Sequence, residues 1–226
     1  MGNTIYQQKN LSGIRGVLFD MDGLVLDTEK LYSRFWMEAC HYFGFPMTLE
    51  QSLRMRAANT NLGKANLQEF FGPEADYTAI RAKRIELMDA FIAENGVDLK
   101  PGIRELLDFL QERGIATAIA SSSPMDRIYK YLSAHDLYHR FDHLCSGYDI
   151  PHGKPAPDIY LKAASLLGLD PDECLALEDA PLGIESAFRA GCLPVMIPDQ
   201  DQPDAKTVAM LFAKADSLLD IITLLK

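Results

Sequence analysis

Residues 15–29 read RGVLFDMDGLVLDTE. The apolar run Val17, Leu18 and Phe19 stops at Asp20; Asp22 follows after one residue, and Gly23 lets the chain turn away. Short apolar runs of this kind, bounded by polar and turn residues, mark buried strands, which predicts a strand over residues 14–20. In an open α/β sheet, ligands bind in the crevice outside the carboxyl ends of the strands. Two carboxylates one residue apart at that edge are costly unless a cation or a proton offsets them. The stretch therefore predicts a buried strand that carries an acidic pair to a cation or a proton.

The remaining chain supports a sheet around this strand. From Lys100 onward, strand patterns at 115–120, 141–145, 174–177 and 193–197 alternate with helical ones at 102–113, 124–134, 155–167 and 182–190. Strands separated by helices imply right-handed crossovers and a parallel sheet. Two terminal helices are expected at 204–213 and 216–225, and residues 1–12 read as a loose lead-in. Asp27 or Thr28 is placed to cap a helix running to Tyr42, with Leu31, Phe35, Ala39 and Phe43 at helical spacing and Gly44 as its stop. Residues 48–95 carry helical patterns at 49–56, 62–71 and 76–94 and no convincing strand. The expected fold class is α/β: a parallel-sheet core over 1–27 and 96–226, and a small all-helical cap domain, 28–95, inserted after the first strand.

Composition narrows the function. The chain has 226 residues, 48% of them hydrophobic and 24% charged, and a net charge of −10. Such an acidic balance argues against nucleic acid or anionic membrane as a partner. Small anionic substrates stay open, because a bound metal and a few cations reverse the field locally. The cysteines, Cys40, Cys145, Cys174 and Cys192, form no Cys-x-x-Cys pair, so buried free thiols in a reducing compartment are expected. No apolar stretch approaches 18 residues, and residues 1–12 lack a signal-peptide core, so a cytoplasmic location is expected.

Each main strand ends in polar residues. The first supplies Asp20 and Asp22, the second Ser121, a later loop Lys154 within Gly153-Lys154-Pro155, and the strand at 174–177 supplies Glu178 and Asp179. Cleaving a phosphate monoester calls for such a set. A carboxylate can attack phosphorus and form an aspartyl-phosphate. An anionic nucleophile and a dianionic phosphate need a cation between them, and Mg²⁺ is held by one or two carboxylates with waters and phosphate oxygen. Asp20 and Asp179 can supply those carboxylates, Lys154 a point charge, Ser121 a hydrogen bond, and Asp22 the proton for the departing alkoxide. Ser121, Ser122 and Ser123 also stand where they would cap the following helix. His135, His139 and His143 are four apart, but no carboxylate pattern completes a metal site with them.

Together, Asp20-Met21-Asp22-Gly23, Ser121 after an Ala-Ile-Ala run, Gly-Lys154-Pro and Glu178-Asp179 resemble the four motifs of the haloacid dehalogenase superfamily. The resemblance spans nearly the whole chain. It implies a Rossmannoid core with a helical cap and a magnesium-dependent phosphoryl-transfer site. It implies Asp20 as nucleophile and metal ligand, and Asp22 as acid/base whose backbone carbonyl also meets the metal. Ser121, the Ser122 backbone N–H and Lys154 would hold phosphate, Asp179 the metal, and Glu178 the metal through water. The dehalogenases themselves lack the second Asp of the first motif, so Asp22 points to phosphoryl transfer.

Within the superfamily the chain is similar to β-phosphoglucomutases, sugar-phosphate phosphatases and pseudouridine-5′-phosphatases. The mutase pattern places His where this chain has Tyr32, and Arg where it has Thr60, three residues beyond Ala57 of an Arg56-Ala57 pair. Both departures favour a phosphatase acting on a small phosphorylated sugar or nucleoside; the resemblance, at this chain length, implies a monomer. Arg56 and Asn59 are candidate substrate contacts, with Arg54, Asn61 and Lys64 nearby.

Overall fold

The computed structural model describes residues 4–7, 11–56, 60–199 and 202–226, with the side chain of Arg56 outside that description. A sheet of seven strands runs through it: β1 (Thr4–Ile5), β2 (Gly16–Phe19), β3 (Ala116–Ser121), β4 (His143–Ser146), β5 (Cys174–Glu178), β6 (Leu193–Met196) and β7 (Ala213–Lys214). The first helices are α1 (Glu29–Tyr42), α2 (Leu49–Arg56), α3 (Thr60–Phe71) and α4 (Tyr77–Asn95). Then come α5 (Ile103–Glu112), α6 (Met125–Ser133), α7 (Asp158–Leu167), α8 (Pro181–Ala190), α9 (Ala205–Val208) and α10 (Leu218–Leu224).

Strand order is β1-β7-β6-β5-β2-β3-β4, parallel throughout except for β1, which lies antiparallel on β7. From β2 at the centre the chain steps outward to β3 and β4, then returns on the other side of β2 as β5. Strand order thus reverses beside β2, and a crevice opens there at the carboxyl ends. Phe19 is in register with both Ile119 and Leu177, so Asp20, Ser121 and Glu178 emerge at one edge.

Burial on both faces explains why β2 and β5 up to Leu177 are continuously apolar rather than alternating, and why β3 is apolar but for Thr117 and the closing Ser121. On one face Leu18, Ala118, Ala120 and Ala176 pack with Tyr160, Ala163 and Ala164 of α7. The small strand side chains leave room for the Tyr160 ring, which is fully buried.

The chain divides into two compact units, Met1–Leu26 with Leu99–Lys226, and Asp27–Asp98. The second unit consists of α1–α4 around Trp36, Met55, Leu67, Tyr77 and Ile80. Two expectations fail within it. Thr28 occupies the N-cap of α1 but makes no side-chain capping bond. The buried face of α1 is Phe35, Trp36, Ala39 and Cys40, whereas Phe43 lies beyond the helix and is exposed. Arg84, unexpectedly buried in α4, lies with its guanidinium 4.8 Å from the Tyr32 ring centroid and 5.2 Å from that of Trp36.

The chain ends need correction too. The lead-in contains β1, and the helix expected over 204–213 stops at Val208 so that the chain can form β7. Backbone bonds from Phe212 N to Pro194 O (2.9 Å) and from Ala215 N to Met196 O (2.9 Å) fix β7 beside β6. Tyr6 N donates to Phe212 O at 2.9 Å and ties down the segment after β1.

Candidate active site

Asp20 follows β2 directly, and its N–H donates to Leu177 O at 3.0 Å, continuing the β2–β5 ladder by one residue. Glu178 closes β5, its carbonyl accepting from Ile197 N at 2.8 Å. Two adjacent strands thereby set the two carboxylates on rigid backbone. Lys154 comes from the loop before α7. That loop is held by α8, where Ser186 Oγ donates to Ala156 O at 2.6 Å.

These three side chains meet. Lys154 Nζ lies 2.5 Å from Asp20 Oδ1 and 2.5 Å from Glu178 Oε1, and all three are nearly buried. The Tyr160 hydroxyl donates to Glu178 Oε1 at 2.5 Å. Gly183, in the first turn of α8, packs so closely that a β-carbon there would overlap the Glu178 carboxyl group. Asp179 completes the cluster: oxygens of Asp20, Glu178 and Asp179 all lie within 4.8 Å of one another, and all three residues are buried.

Burial alone would discharge Lys154, but the Asp20 and Glu178 carboxylates outweigh it and hold its pKa above the usual lysine range. Burial pushes the Glu178 carboxyl up to about 7, with Asp20 acting the same way and Lys154 opposing. Burial, together with the Glu178 charge, also raises the Tyr160 phenol, which remains a proton donor.

Asp22 sits one turn of chain beyond Asp20, where Gly23 adopts φ 85° and reverses direction. Its Oδ2 accepts from Ser123 Oγ at 3.1 Å. Ser121, at the end of β3, is fully buried, and its Oγ accepts from Ser123 N at 3.0 Å. A hydroxyl that accepts in this way keeps its own hydrogen to donate. Ser122 is exposed at the same edge. The expected serine cap on α6 is absent: Pro124 holds the N-cap position and no side chain caps the helix.

The expected cap contacts fare differently. Asn59 and the Arg56 side chain lie outside the described residues. Arg54 is committed within its own unit: two guanidinium nitrogens meet Glu69 at 2.8 and 2.7 Å, a third contact reaches Asn66 Oδ1 at 3.2 Å, and the group lies over Phe70.

Sequence reading missed Tyr160, Ser123 and Gly183. Tyr160 resembles any core aromatic on a helix face. Gly183 leaves a trace, because a glycine inside the first turn of a helix right after Glu-Asp costs helix stability for no local reason.

Acidic strand ends gather round a buried lysine where a parallel sheet reverses its strand order, the place at which open α/β folds bind their ligands. A model of the haloacid dehalogenase-like hydrolase family matches residues 14–191. The chain belongs to that family. It is similar to hexitol phosphatase B of Escherichia coli K12, 31% identical over 215 residues that cover 92% of this chain and 94% of that protein. It is also similar to β-phosphoglucomutase of Bacillus subtilis, 28% identical, covering 92% of this chain and 94% of the relative. Among solved structures, CbbY from Rhodobacter sphaeroides in complex with phosphate superposes with a TM-score of 0.74 at 26% identity, covering 91% and 95% of the two chains.

Proposed function

We propose that this hydrolase is a Mg²⁺-dependent phosphatase acting on a small phosphorylated metabolite, a sugar phosphate or a nucleoside monophosphate, through an aspartyl-phosphate. The convergence of Asp20, Lys154, Glu178 and Asp179 carries this reading. Asp20 is the nucleophile, its position fixed by backbone pairing and its charge balanced by Lys154. Attack by an Asp20 oxygen on phosphorus forms the P–O bond to the enzyme and breaks the bond to the leaving oxygen. Asp22 gives that oxygen its proton. Water then attacks phosphorus, Asp22 takes a proton back, and inorganic phosphate leaves with Asp20 restored. Ser121, the Ser122 N–H and Lys154 hold the phosphoryl oxygens.

The donor set suits a hard divalent cation: three buried carboxylates offer oxygens within 4.8 Å of one another. Asp20, Asp179 and the backbone carbonyl of Asp22 would hold it, with Glu178 reaching it through water. When bound, Mg²⁺ supplies charge neutralisation between nucleophile and phosphate. Tyr160 and Lys154 hold Glu178 in its orientation.

In this reading residues 1–27 and 96–226 perform the chemistry, and 28–95 form a cap that selects the leaving group, with Arg56 and Asn59 as substrate contacts. The protein works as a monomer in the cytoplasm, which fits its four buried free thiols. The substrate classes follow the phosphatases among its relatives. A mutase reading draws on the β-phosphoglucomutase relative, but Tyr32 and Thr60 replace the residues that pattern requires.

The test is phosphate release from a panel of sugar, nucleotide and nucleoside phosphates with Mg²⁺. Turnover should need Mg²⁺, stop with a chelator, and vanish in Asp20→Asn. Wild-type turnover in that variant would overturn the nucleophile. Interconversion of hexose 1- and 6-phosphates with a bisphosphate primer would favour the mutase.

A further inference from the structure

We propose that Ser123 is a positioning residue whose hydroxyl orients the Asp22 carboxyl for proton transfer to the leaving oxygen. The inference rests on the reading of Asp22 as the acid. Ser123 stands just before α6, where a serine ordinarily turns its oxygen onto the helix N–H groups. Here it does not. Its hydroxyl instead crosses to a residue 101 positions earlier, donating to Asp22 Oδ2 at 3.1 Å, and the residue is only 6% exposed.

The backbone of Ser123 is held on both sides. Its N–H donates to Ser121 Oγ at 3.0 Å, and its carbonyl accepts from Ser146 Oγ at 2.8 Å. Ser121 and Ser146 are both fully buried and are register partners on β3 and β4. The next residue, Gly147, lies against the serine loop; a β-carbon there would come within 2.9 Å of Ser122 Cα. The sheet itself therefore sets the Ser123 β-carbon, which is what a group that orients a reacting side chain requires.

The chemistry follows from which oxygen is engaged. The bond from Ser123 engages Oδ2 and leaves Oδ1 as the oxygen turned to the reaction. Ser123 thus fixes the plane in which the Asp22 carboxyl lies. Losing the hydroxyl removes this orienting bond, and misplacing a reacting group by about an ångström can cost roughly a hundredfold in rate.

Leaving-group dependence separates orientation from packing. Phenolate, whose acid has a pKa near 10 as in tyrosine, needs the proton more than p-nitrophenolate does. The value of kcat/KM reports the step in which the leaving group departs. With Mg²⁺ present, Asp22→Asn should lower kcat/KM far more on phenyl phosphate than on p-nitrophenyl phosphate. Ser123→Ala should show the same split in milder form, about tenfold on phenyl phosphate and within about threefold on the nitro compound, well inside the range for misoriented groups. Ser123→Thr, which keeps the hydroxyl, should recover most of the loss, and thermal midpoints should report folding. An equal fall on both substrates, or no fall on either, while Asp22→Asn keeps its split, would overturn the role of Ser123 alone. If Asp22→Asn shows no split, the acid assignment falls, and the inference falls with it.

Discussion

Replacing Gly183 by alanine sets two effects of opposite sign against each other. Gly183 lies inside α8, and alanine is the better helix former by up to about 1 kcal/mol. On propensity alone, Gly183→Ala stabilises the protein. The new β-carbon, however, would occupy the space of the Glu178 carboxyl group. Non-bonded carbons settle about 3.5–4 Å apart, so the carboxyl must retreat by roughly an ångström or more. Lys154 Nζ and the Tyr160 hydroxyl each lie 2.5 Å from Glu178 Oε1, and a shift of that size breaks both bonds. Hydrogen bonds to charged groups contribute about 1.5–3 kcal/mol each, so the loss is about 3–6 kcal/mol against a gain of at most about 1. The expected net destabilisation is about 2–5 kcal/mol. Urea unfolding followed by circular dichroism measures it. Calorimetric titration with Mg²⁺ should show affinity reduced about tenfold or more, as when other groups that orient metal ligands are disturbed. A Gly183→Ala protein as stable as wild type, with unchanged Mg²⁺ affinity, would refute the close packing of Gly183 against Glu178.

Three further outcomes follow from the same contacts. Tyr160→Phe removes a donor to a buried carboxylate and should cost about 1.5–3 kcal/mol in urea unfolding, with weaker Mg²⁺ binding in the titration. Asp76 accepts from Thr78 N at 2.8 Å and Ala79 N at 3.3 Å at the start of α4, so Asp76→Ala should lower stability by about 1 kcal/mol, leaving p-nitrophenyl phosphate turnover unchanged. Burial pushes Cys40, Cys174 and Cys192 up to about 12 and Cys145 up to about 11, from an ordinary 9.0. Unfolded thiols ionise first, so stability is intact below pH 9 and falls as pH climbs toward 11–12, by about 1.4 kcal/mol per unit for each thiol. A flat stability profile above pH 9, or rapid modification of the native thiols by a disulfide reagent at pH 8, would contradict that burial.

The central strands are legible because each is an apolar run stopped by a polar residue. The parallel register then brings those stops to one edge without further information. Asp20, Lys154, Glu178 and Asp179 can be read for the same reason, since nothing in a buried strand end or a Gly-Lys-Pro loop explains their charges locally. What is not legible depends on partners distant in sequence. β1 pairs with β7 across the whole chain, and the residues 204–213 read as helix until that pairing pulls 213–214 into the sheet. Ser123 looks like a cap because its true partner is Asp22. Arg54 looks like a substrate contact because Glu69 and Asn66 lie on the next helix. Tyr160 shows only as a core aromatic, since its hydroxyl has no role until β5 delivers Glu178 beside it.

The ends of the unit Asp27–Asp98 are side by side. Leu26 and Leu99 form an antiparallel bridge, and Asp27 N donates to Asp98 O at 2.8 Å. Lys100 N donates to Val25 O at 2.9 Å on the sheet side of that bridge. Val25 and Leu26 thus run beside Leu99 and Lys100 as a closed two-stranded stem. Lengthening a loop whose ends already touch costs only about 0.6 kcal/mol for each doubling. The stem makes the helical unit a cassette in sequence, entered and left through one bridge, Leu26 to Leu99. Recombination at two points then carries the whole unit, and the strand-end carboxylates stay with the host sequence.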